Sequence, residues 1–426
     1  MARTAHVLFR LSALLVFLAC QSQEPVASSP SDTTSSPGPT PSVSCDPGNG
    51  GVTLPAGFCA TIFADRVGAA RHAAVSASGD LYVMLSGGAV LALRDTNHDG
   101  HSDVRATFGR SGGTGIVIRG DDLYADAQSV ILRYRLTPGT LQPASAPDTI
   151  VMGLPTSGHN ARNIALDAAG NLFVNVGSIT NVCEQGVRDP CAELPTRAAI
   201  FRFDAGTLRQ SFAGGERYAL GIRNAVGLAA NPTDGKLYAT QHGRDNLYQS
   251  FGRLFTADDG AENPAEELLQ VNRGDDMGWP YCYYDLRVGK IVLAPEYGGD
   301  RQQVGRCSTA KAPLTVFPGH WAPNGLMFYT GTMFPARYRN GAFVAFHGSW
   351  NRAPLAQAGF RVAFVPASDG RIGASYETFA DGFAGAPTIS DPNGAAHRPT
   401  GLAQGSDGAL FITDDKAGRI WRVVFR

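Results

Sequence analysis

The chain has 426 residues, of which 43 % are hydrophobic and 17 % charged, and its formal net charge is -1 at pH 7. That near-neutral balance excludes an electrostatic case for nucleic-acid binding, because phosphate recognition needs a basic face. The length admits one large β domain or two ordinary ones, and 51 glycines beside few helix-favouring runs point to short strands joined by many turns.

The first predicted element is a processing segment, residues 1–20. Arg3 and Arg10 supply positive charge, and Leu11 to Ala19 supply an apolar run. The run is too short to span a bilayer as a mature helix, so it reads as an export signal. It ends in Phe17-Leu18-Ala19-Cys20, which resembles a bacterial lipoprotein cleavage box with Cys20 as the lipid-modified residue. An ordinary signal peptide followed by a stray cysteine is the alternative. Residues 21–44 are rich in Ser, Thr and Pro and lack apolar periodicity, so a disordered tether is expected there. The expectation is an exported periplasmic or cell-surface lipoprotein that touches the membrane only through its anchor, with its folded domain over 45–426.

Beyond Cys20 stand Cys45, Cys59, Cys183, Cys191, Cys282 and Cys307. An even number in an exported chain suggests disulfides. Nearest-neighbour pairing would give Cys45–Cys59, Cys183–Cys191 and Cys282–Cys307, although the sequence leaves other connectivities open. The spacings do not match paired CxxC zinc ligation.

A turn followed by an apolar or aromatic strand recurs along the rest of the chain. Its copies are Gly79-Asp80-Leu81-Tyr82-Val83, Asp121-Asp122-Leu123-Tyr124-Ala125 and Gly170-Asn171-Leu172-Phe173-Val174. They continue as Gly235-Lys236-Leu237-Tyr238-Ala239, Asn340-Gly341-Ala342-Phe343-Val344 and Gly408-Ala409-Leu410-Phe411-Ile412. The turn residues tolerate positive φ and the strand residues suit a pleated, half-buried surface. Apolar stretches upstream, such as Asn163–Asp167, and downstream, such as Arg419–Val424, complete a strand–turn–strand–turn–strand unit. Six such units predict an all-β, six-bladed β-propeller. The spacing is widest between Leu237 and Phe343, so long loops that shape a site are expected there.

Two acidic features lie along the way. Asp95-Thr96-Asn97-His98-Asp99-Gly100-His101-Ser102-Asp103 matches the first half of a calcium loop, but Ala106 stands where the closing glutamate belongs. A solvated hairpin is preferred over a structural calcium loop. Asp258-Asp259 with Glu262, and Glu266-Glu267, are expected in a solvated insertion loop.

The chemistry-bearing motifs follow in order. They are Gly158-His159-Asn160-Ala161-Arg162-Asn163, Gly221-Ile222-Arg223-Asn224-Ala225-Val226-Gly227, Gln241-His242-Gly243-Arg244-Asp245 and Asp275-Asp276-Met277-Gly278-Trp279-Pro280. His347-Gly348-Ser349-Trp350-Asn351-Arg352 and His397-Arg398-Pro399-Thr400-Gly401 complete the series. Together, from about Leu54 to Arg426, they resemble the glucose/sorbosone dehydrogenase family, and its sorbosone-dehydrogenase-like branch in particular. The resemblance implies an oxidoreductase of the quinoprotein kind. Such an enzyme oxidises a sugar or sugar-derived hydroxyl or aldehyde with pyrroloquinoline quinone (PQQ) and calcium, then passes electrons to a separate acceptor.

Residue by residue, the resemblance makes His159 the base, a role that suits an imidazole near neutral pH. It places Arg223 at the quinone and substrate, where a guanidinium steadies developing negative charge, and Asn224 on the cofactor. PQQ carries carboxylates, so Arg71, Arg352 and Arg398 are candidates to bind it. His347, Asn351 and Trp350 belong to the same stretch, and the Trp350 indole suits stacking on a planar ring. Arg352 is equally suited to pairing with a blade carboxylate. Calcium ligation falls to the backbone carbonyls of Gly243 and Arg244. Where relatives carry an acid that orients the base, this chain has Ser178, and their cofactor lysine has no counterpart near Ser349-Trp350. Two other classes compete: a metal-dependent lactonase-type hydrolase, which needs a side-chain carboxylate cage, and a binding propeller without chemistry.

Overall fold

The computed structural model describes residues 44–109 and 112–426. The expected signal segment with Cys20, and the tether apart from its last residue Ser44, lie outside the described residues.

The recurring signature forms the second strand of each of six four-stranded antiparallel blades, the second of which gains a short parallel edge strand, Gln210–Ser211. These strands are Leu81–Leu85, Asp122–Ala127, Asn171–Val176, Leu237–Gln241, Ala342–Phe346 and Leu410–Asp414. Each lies inside its sheet and is covered on both faces by neighbouring sheets. Its central residues are therefore mostly apolar, and Leu81, Leu123, Leu172, Phe343 and Leu410 are all 0 % exposed, while polar residues such as Asp126, Asn175, Gln241 and Asp414 gather toward its end. The stretch upstream of each signature is the innermost strand. The six innermost strands are Ala70–Val75, Ile116–Arg119, Ile164–Leu166, Gly227–Ala230, Pro323–Phe328 and Pro399–Gln404. They neighbour one another in sequence order and the last returns to the first, so the six sheets close into the six-bladed propeller expected from the repeat.

The ring closes through its termini. The sixth blade takes three strands from the C-terminal end and its outer strand, Phe58–Ala64, from the N-terminal end. Phe58 pairs with Phe425 across this seam, and its ring packs edge-on against Phe334, Tyr338 and Phe379 of the fifth blade. The three disulfides are Cys45–Cys59, Cys183–Cys191 and Cys282–Cys307, the nearest-neighbour set. The first ties the start of the described chain to the closing strand.

One sequence expectation fails. Glu266 and Glu267 do not sit in a solvated loop; they open the third strand of the fourth blade, Glu266–Val271, and are 2 % and 6 % exposed. Asp259 is also buried, where it forms a capping box with Thr256 at the short helix Ala257–Glu262. Charge patterning misreads both places because their carboxylates bind backbone N–H groups and buried side chains rather than water. The Asp95–Asp103 loop is a hairpin tip closed by its own bonds: the Gly100 N–H donates to Asp95 at 2.8 Å and the Thr96 N–H to Asp103 at 3.1 Å.

Candidate active site

In each blade the innermost strand starts, and the second strand ends, at the same mouth of the ring. Residues just before one or just after the other therefore meet there. Arg71, His159, Arg223 and Arg398 stand at or before innermost strands, whereas Ser178, His242, His347 and Asp415 follow second strands.

His159 enters on a turn set by Gly158, whose φ is 72°. A Cβ there would meet the Ile179 Cα and the Ser178 carbonyl oxygen at 2.5 Å, so only glycine lets this loop approach so closely. The His159 backbone N–H donates to the Ser178 carbonyl at 2.9 Å, and Nδ1 of the ring lies 3.0 Å from the same oxygen. A carbonyl only accepts, so Nδ1 carries the proton and Nε2 presents its lone pair. The Ser178 hydroxyl agrees with that tautomer. It donates to the Thr180 carbonyl at 2.7 Å and so accepts from Nδ1 at 2.9 Å. Burial, then the charge of Arg223, pushes His159 down to about 4. The ring is neutral at pH 7.

Arg223 is 5 % exposed. Its carbonyl accepts the Ser178 N–H at 2.8 Å, and its Nη2 pairs with Asp245 at 2.9 Å. Asp245 also accepts from Asn351 Nδ2 at 2.7 Å and faces His320 Nδ1 at 3.5 Å. Burial pushes the Asp245 carboxyl up, but the His320 bond and the Arg223 and His320 charges outweigh it and hold the group well below the usual carboxylate range.

A second cluster lies across the mouth. Asp415 binds Arg71 Nη1 at 2.6 Å and His347 Nε2 at 2.8 Å. Arg398 Nη1 lies 3.2 Å from the other His347 nitrogen. Guanidinium only donates, so His347 is a neutral ring with its proton on Nε2. Burial, together with the charges of Arg71 and Arg398, keeps it so against the pull of Asp415. His242 links the two clusters. Burial and then the charges of Arg223, His159 and His347 push it down to about 3, and its Nε2 is buried without a partner.

Other expected site residues fall differently. Asn224 is 6 % exposed with its Oδ1 unpartnered, as is the Oδ1 of Asn351 and the Nε of Arg71. Trp350 is 62 % exposed at the rim, between Ser349 and Asn351. Arg352 points away from the mouth. It donates to the carbonyls of Ala261 at 2.9 Å and Gly319 at 3.0 Å and pairs with Glu262, the alternative the sequence left open. Arg244 is engaged through its side chain with Glu296 at 2.5 Å. The long Leu237–Phe343 interval brings Gly243, Arg244, Asp245, Trp279 and His320 to the site. Asp415, His320 and Asn181 were missed in the sequence. The signal for Asp415 was its place directly after a signature strand, which His242 and His347 share.

A cavity of about 400 Å³ opens beside this arrangement, walled by Arg71, Asn160, Arg162, Asp126 and Gln128 among others. That volume suits a small molecule. Unpartnered buried polar atoms in a mouth that also holds Arg71, Arg223 and Arg398 mark a place for a polar, anionic ligand.

A family model described as TrAA12-like matches residues 52–425. A Borreliella burgdorferi protein of uncharacterized function is 28 % identical over 275 residues, covering 63 % of this chain and 61 % of that one. The chain thus spans less than two thirds of that relative. The pyrroloquinoline quinone-dependent sugar dehydrogenase of Hypocrea jecorina is 24 % identical over 421 residues, covering 88 % of this chain and 91 % of that one. In structure, the chain is similar to the holo form of the pyranose dehydrogenase PQQ domain from Coprinopsis cinerea. There the TM-score is 0.69 at 20 % identity, with 88 % of this chain and 97 % of that one covered.

Proposed function

The chain belongs to the TrAA12-like family, and on that premise we propose that it is a PQQ-dependent sugar dehydrogenase, an oxidoreductase that removes hydrogen from a sugar hydroxyl or aldehyde. The observation that carries this reading is one juxtaposition. His159 offers a neutral Nε2 while Ser178 holds its Nδ1–H, and Ser178 is also bonded to Arg223.

The residues fit the cofactor. Arg71 with its unpartnered Nε, and Arg398, are placed to bind carboxylates, while the unpartnered Oδ1 atoms of Asn224 and Asn351 line the same mouth. The surroundings of Gly243 fit a cation. A Cβ there would meet Pro264 Cγ at 2.7 Å and the Ala265 oxygen at 3.0 Å, so the backbone is tightly cradled. The Gly243 N–H donates to buried Glu266 at 3.0 Å, and Asp245 lies two residues on. Calcium would be held there by the Gly243 and Arg244 carbonyls. When bound, PQQ supplies an electrophilic carbonyl that accepts a hydride, and calcium polarises it.

The protein's part is positioning and proton handling. His159 Nε2 takes the hydroxyl proton of the substrate. The Arg223 guanidinium stabilises the oxygen that becomes negative as that proton leaves. Asp245 keeps Arg223 in place, and Asp415 sets His347 and Arg71 on the opposite side. Trp350, at the rim, presents an apolar ring surface. The disulfides support export to an oxidising compartment, with Cys20 as the proposed anchor.

Reconstitution of the purified protein with calcium and PQQ tests the proposal. Dye reduction with at least one sugar is expected, together with loss of activity in His159→Ala. Failure to bind the quinone, with no turnover across a sugar panel, would overturn it.

A further inference from the structure

The second-to-third strand connection of the third blade, residues 177–198, carries Ser178 and two of the cysteines but no other residue that the sequence motifs name. It begins with Ser178, which orients His159. The next two residues are gripped by one buried carboxylate: Glu193, 3 % exposed, accepts the backbone N–H of Ile179 at 2.6 Å and that of Thr180 at 3.2 Å. Asn181 follows, and the Cys183–Cys191 bridge then closes a loop that ends two residues before Glu193. Cys183 and Cys191 are buried, at 0 % and 3 %, against Trp279 and Ala198.

Asn181 turns its side chain and its carbonyl to the site, while its backbone N–H donates to Glu184 at 3.2 Å. Its Oδ1 accepts the Asp245 N–H at 2.8 Å and its Nδ2 donates to the Asp245 carbonyl at 2.9 Å. The side-chain amide thus pairs with a residue of another blade as one strand pairs with the next. The Asn181 carbonyl accepts Arg223 Nε at 3.3 Å and the Trp279 indole N–H at 2.9 Å. Arg223 is therefore held on two sides, by the Asp245 carboxylate at Nη2 and by the Asn181 carbonyl at Nε, while Asn181 also fixes the backbone that carries that carboxylate.

We propose that Asn181, braced by the disulfide-closed loop and Glu193, is a positioning residue that holds the Arg223–Asp245 pair in register with His159. This rests on the reading of His159 and Arg223 as the reacting pair. A guanidinium left free to rotate would no longer meet the developing charge, and small misplacements of such groups cost rate steeply. The five residues from Ser178 to Val182 then form one brace that serves both the base and its electrostatic partner. Replacing both Cys183 and Cys191 with serine should act in the same direction as changing Asn181.

Asn181→Ala tests this by two routes. In the quinone-reconstituted protein, kcat should fall about 10- to 100-fold while KM moves less than about threefold. In the unloaded protein, NMR titration of His159 should show its pKa rising by about half a unit or more, because the Arg223 charge that holds it down has loosened. Val187→Ala, on the same loop and 60 % exposed, should leave both readouts unchanged. If Asn181→Ala does not fold, Asn181→Ser, which adds no charge and is too short to keep both bonds to Asp245, carries the same measurements. A parental kcat with an unmoved His159 titration overturns the proposal. If the parent protein binds no quinone and oxidises no sugar, the functional reading fails, and the His159 titration still decides whether Asn181 positions Arg223.

Discussion

The Nδ1 of His159 lies 2.9 Å from the Ser178 hydroxyl and 3.0 Å from the Ser178 carbonyl, so one residue supplies two acceptors to one proton. Ser178 thereby does the orienting work expected of an acid, without its charge. Ser178→Ala should cost little, about threefold in kcat/KM or less, because the carbonyl still fixes the tautomer. Ser178→Asp should act on acidity instead. A base must be neutral to accept a proton, so activity falls as pH drops through the His159 pKa, about 4 in the parent. A carboxylate beside Nδ1 raises that pKa, so the acid limb of the kcat/KM profile should move up. A limb that stays in place in Ser178→Asp would remove His159 from the role of base.

The three candidate arginines for the cofactor should separate cleanly. Arg71 and Arg398 flank His347 and Asp415, and Arg71 keeps an unpartnered Nε. Alanine at either should weaken PQQ binding about 10-fold, the loss of one charge-assisted hydrogen bond. Arg352 is occupied by Ala261, Gly319 and Glu262. Arg352→Ala should therefore lower the melting temperature and leave quinone affinity unchanged. Fluorescence quenching titrations beside thermal melts distinguish the two outcomes.

How much of this was legible in the sequence follows from what repeats. The second strands repeat because the start and middle of each must be apolar on both faces, and that requirement is local. Arg71, His159, Arg223 and Arg398 were legible because each stands where a turn delivers the chain to an innermost strand. His320, Asn181 and the inward turn of Glu266 were not. Their partners lie in other blades or far along the chain, and nothing in the neighbouring residues records which loop will meet which. The Cys183–Cys191 spacing was visible, but its consequence for Asp245 depends on a loop crossing between blades.

The calcium proposal makes its own demand on Gly243. A methyl group there would collide with Pro264 Cγ at 2.7 Å and the Ala265 oxygen at 3.0 Å. Gly243→Ala should displace the carbonyls of residues 243 and 244 and weaken calcium binding, measured by calorimetry on chelator-treated protein. Asp258→Ala, on the exposed side of the nearby helix, should bind calcium as the parent does. Equal affinity in Gly243→Ala would remove these carbonyls from the site.

Buried carboxylates in the fourth blade should give the protein an alkaline weakness. Glu267 accepts from Gln241 at 2.7 Å, yet burial, aided by the charge of Glu266, pushes its pKa up to about 8 from an ordinary 4.5. Between those values the native state holds a proton that the unfolded chain has lost, so stability declines as pH rises through that window. Glu266, raised by burial to about 7, acts in the same direction. The buried histidines act oppositely. His72 and His159 at about 4 and His242 at about 3 all lie below 6.5, so stability declines as pH falls from 6.5 toward those values. Glu267→Gln keeps a polar partner for Gln241 and removes one alkaline contribution only. Its melting temperature should gain on the parent as pH rises from 5 to 9, by about 2 °C or more, with no matching gain below pH 5. A difference that stays flat across that range would mean that Glu267 ionises in the folded protein as readily as in the unfolded chain, and that its burial is relieved by solvent reaching the strand.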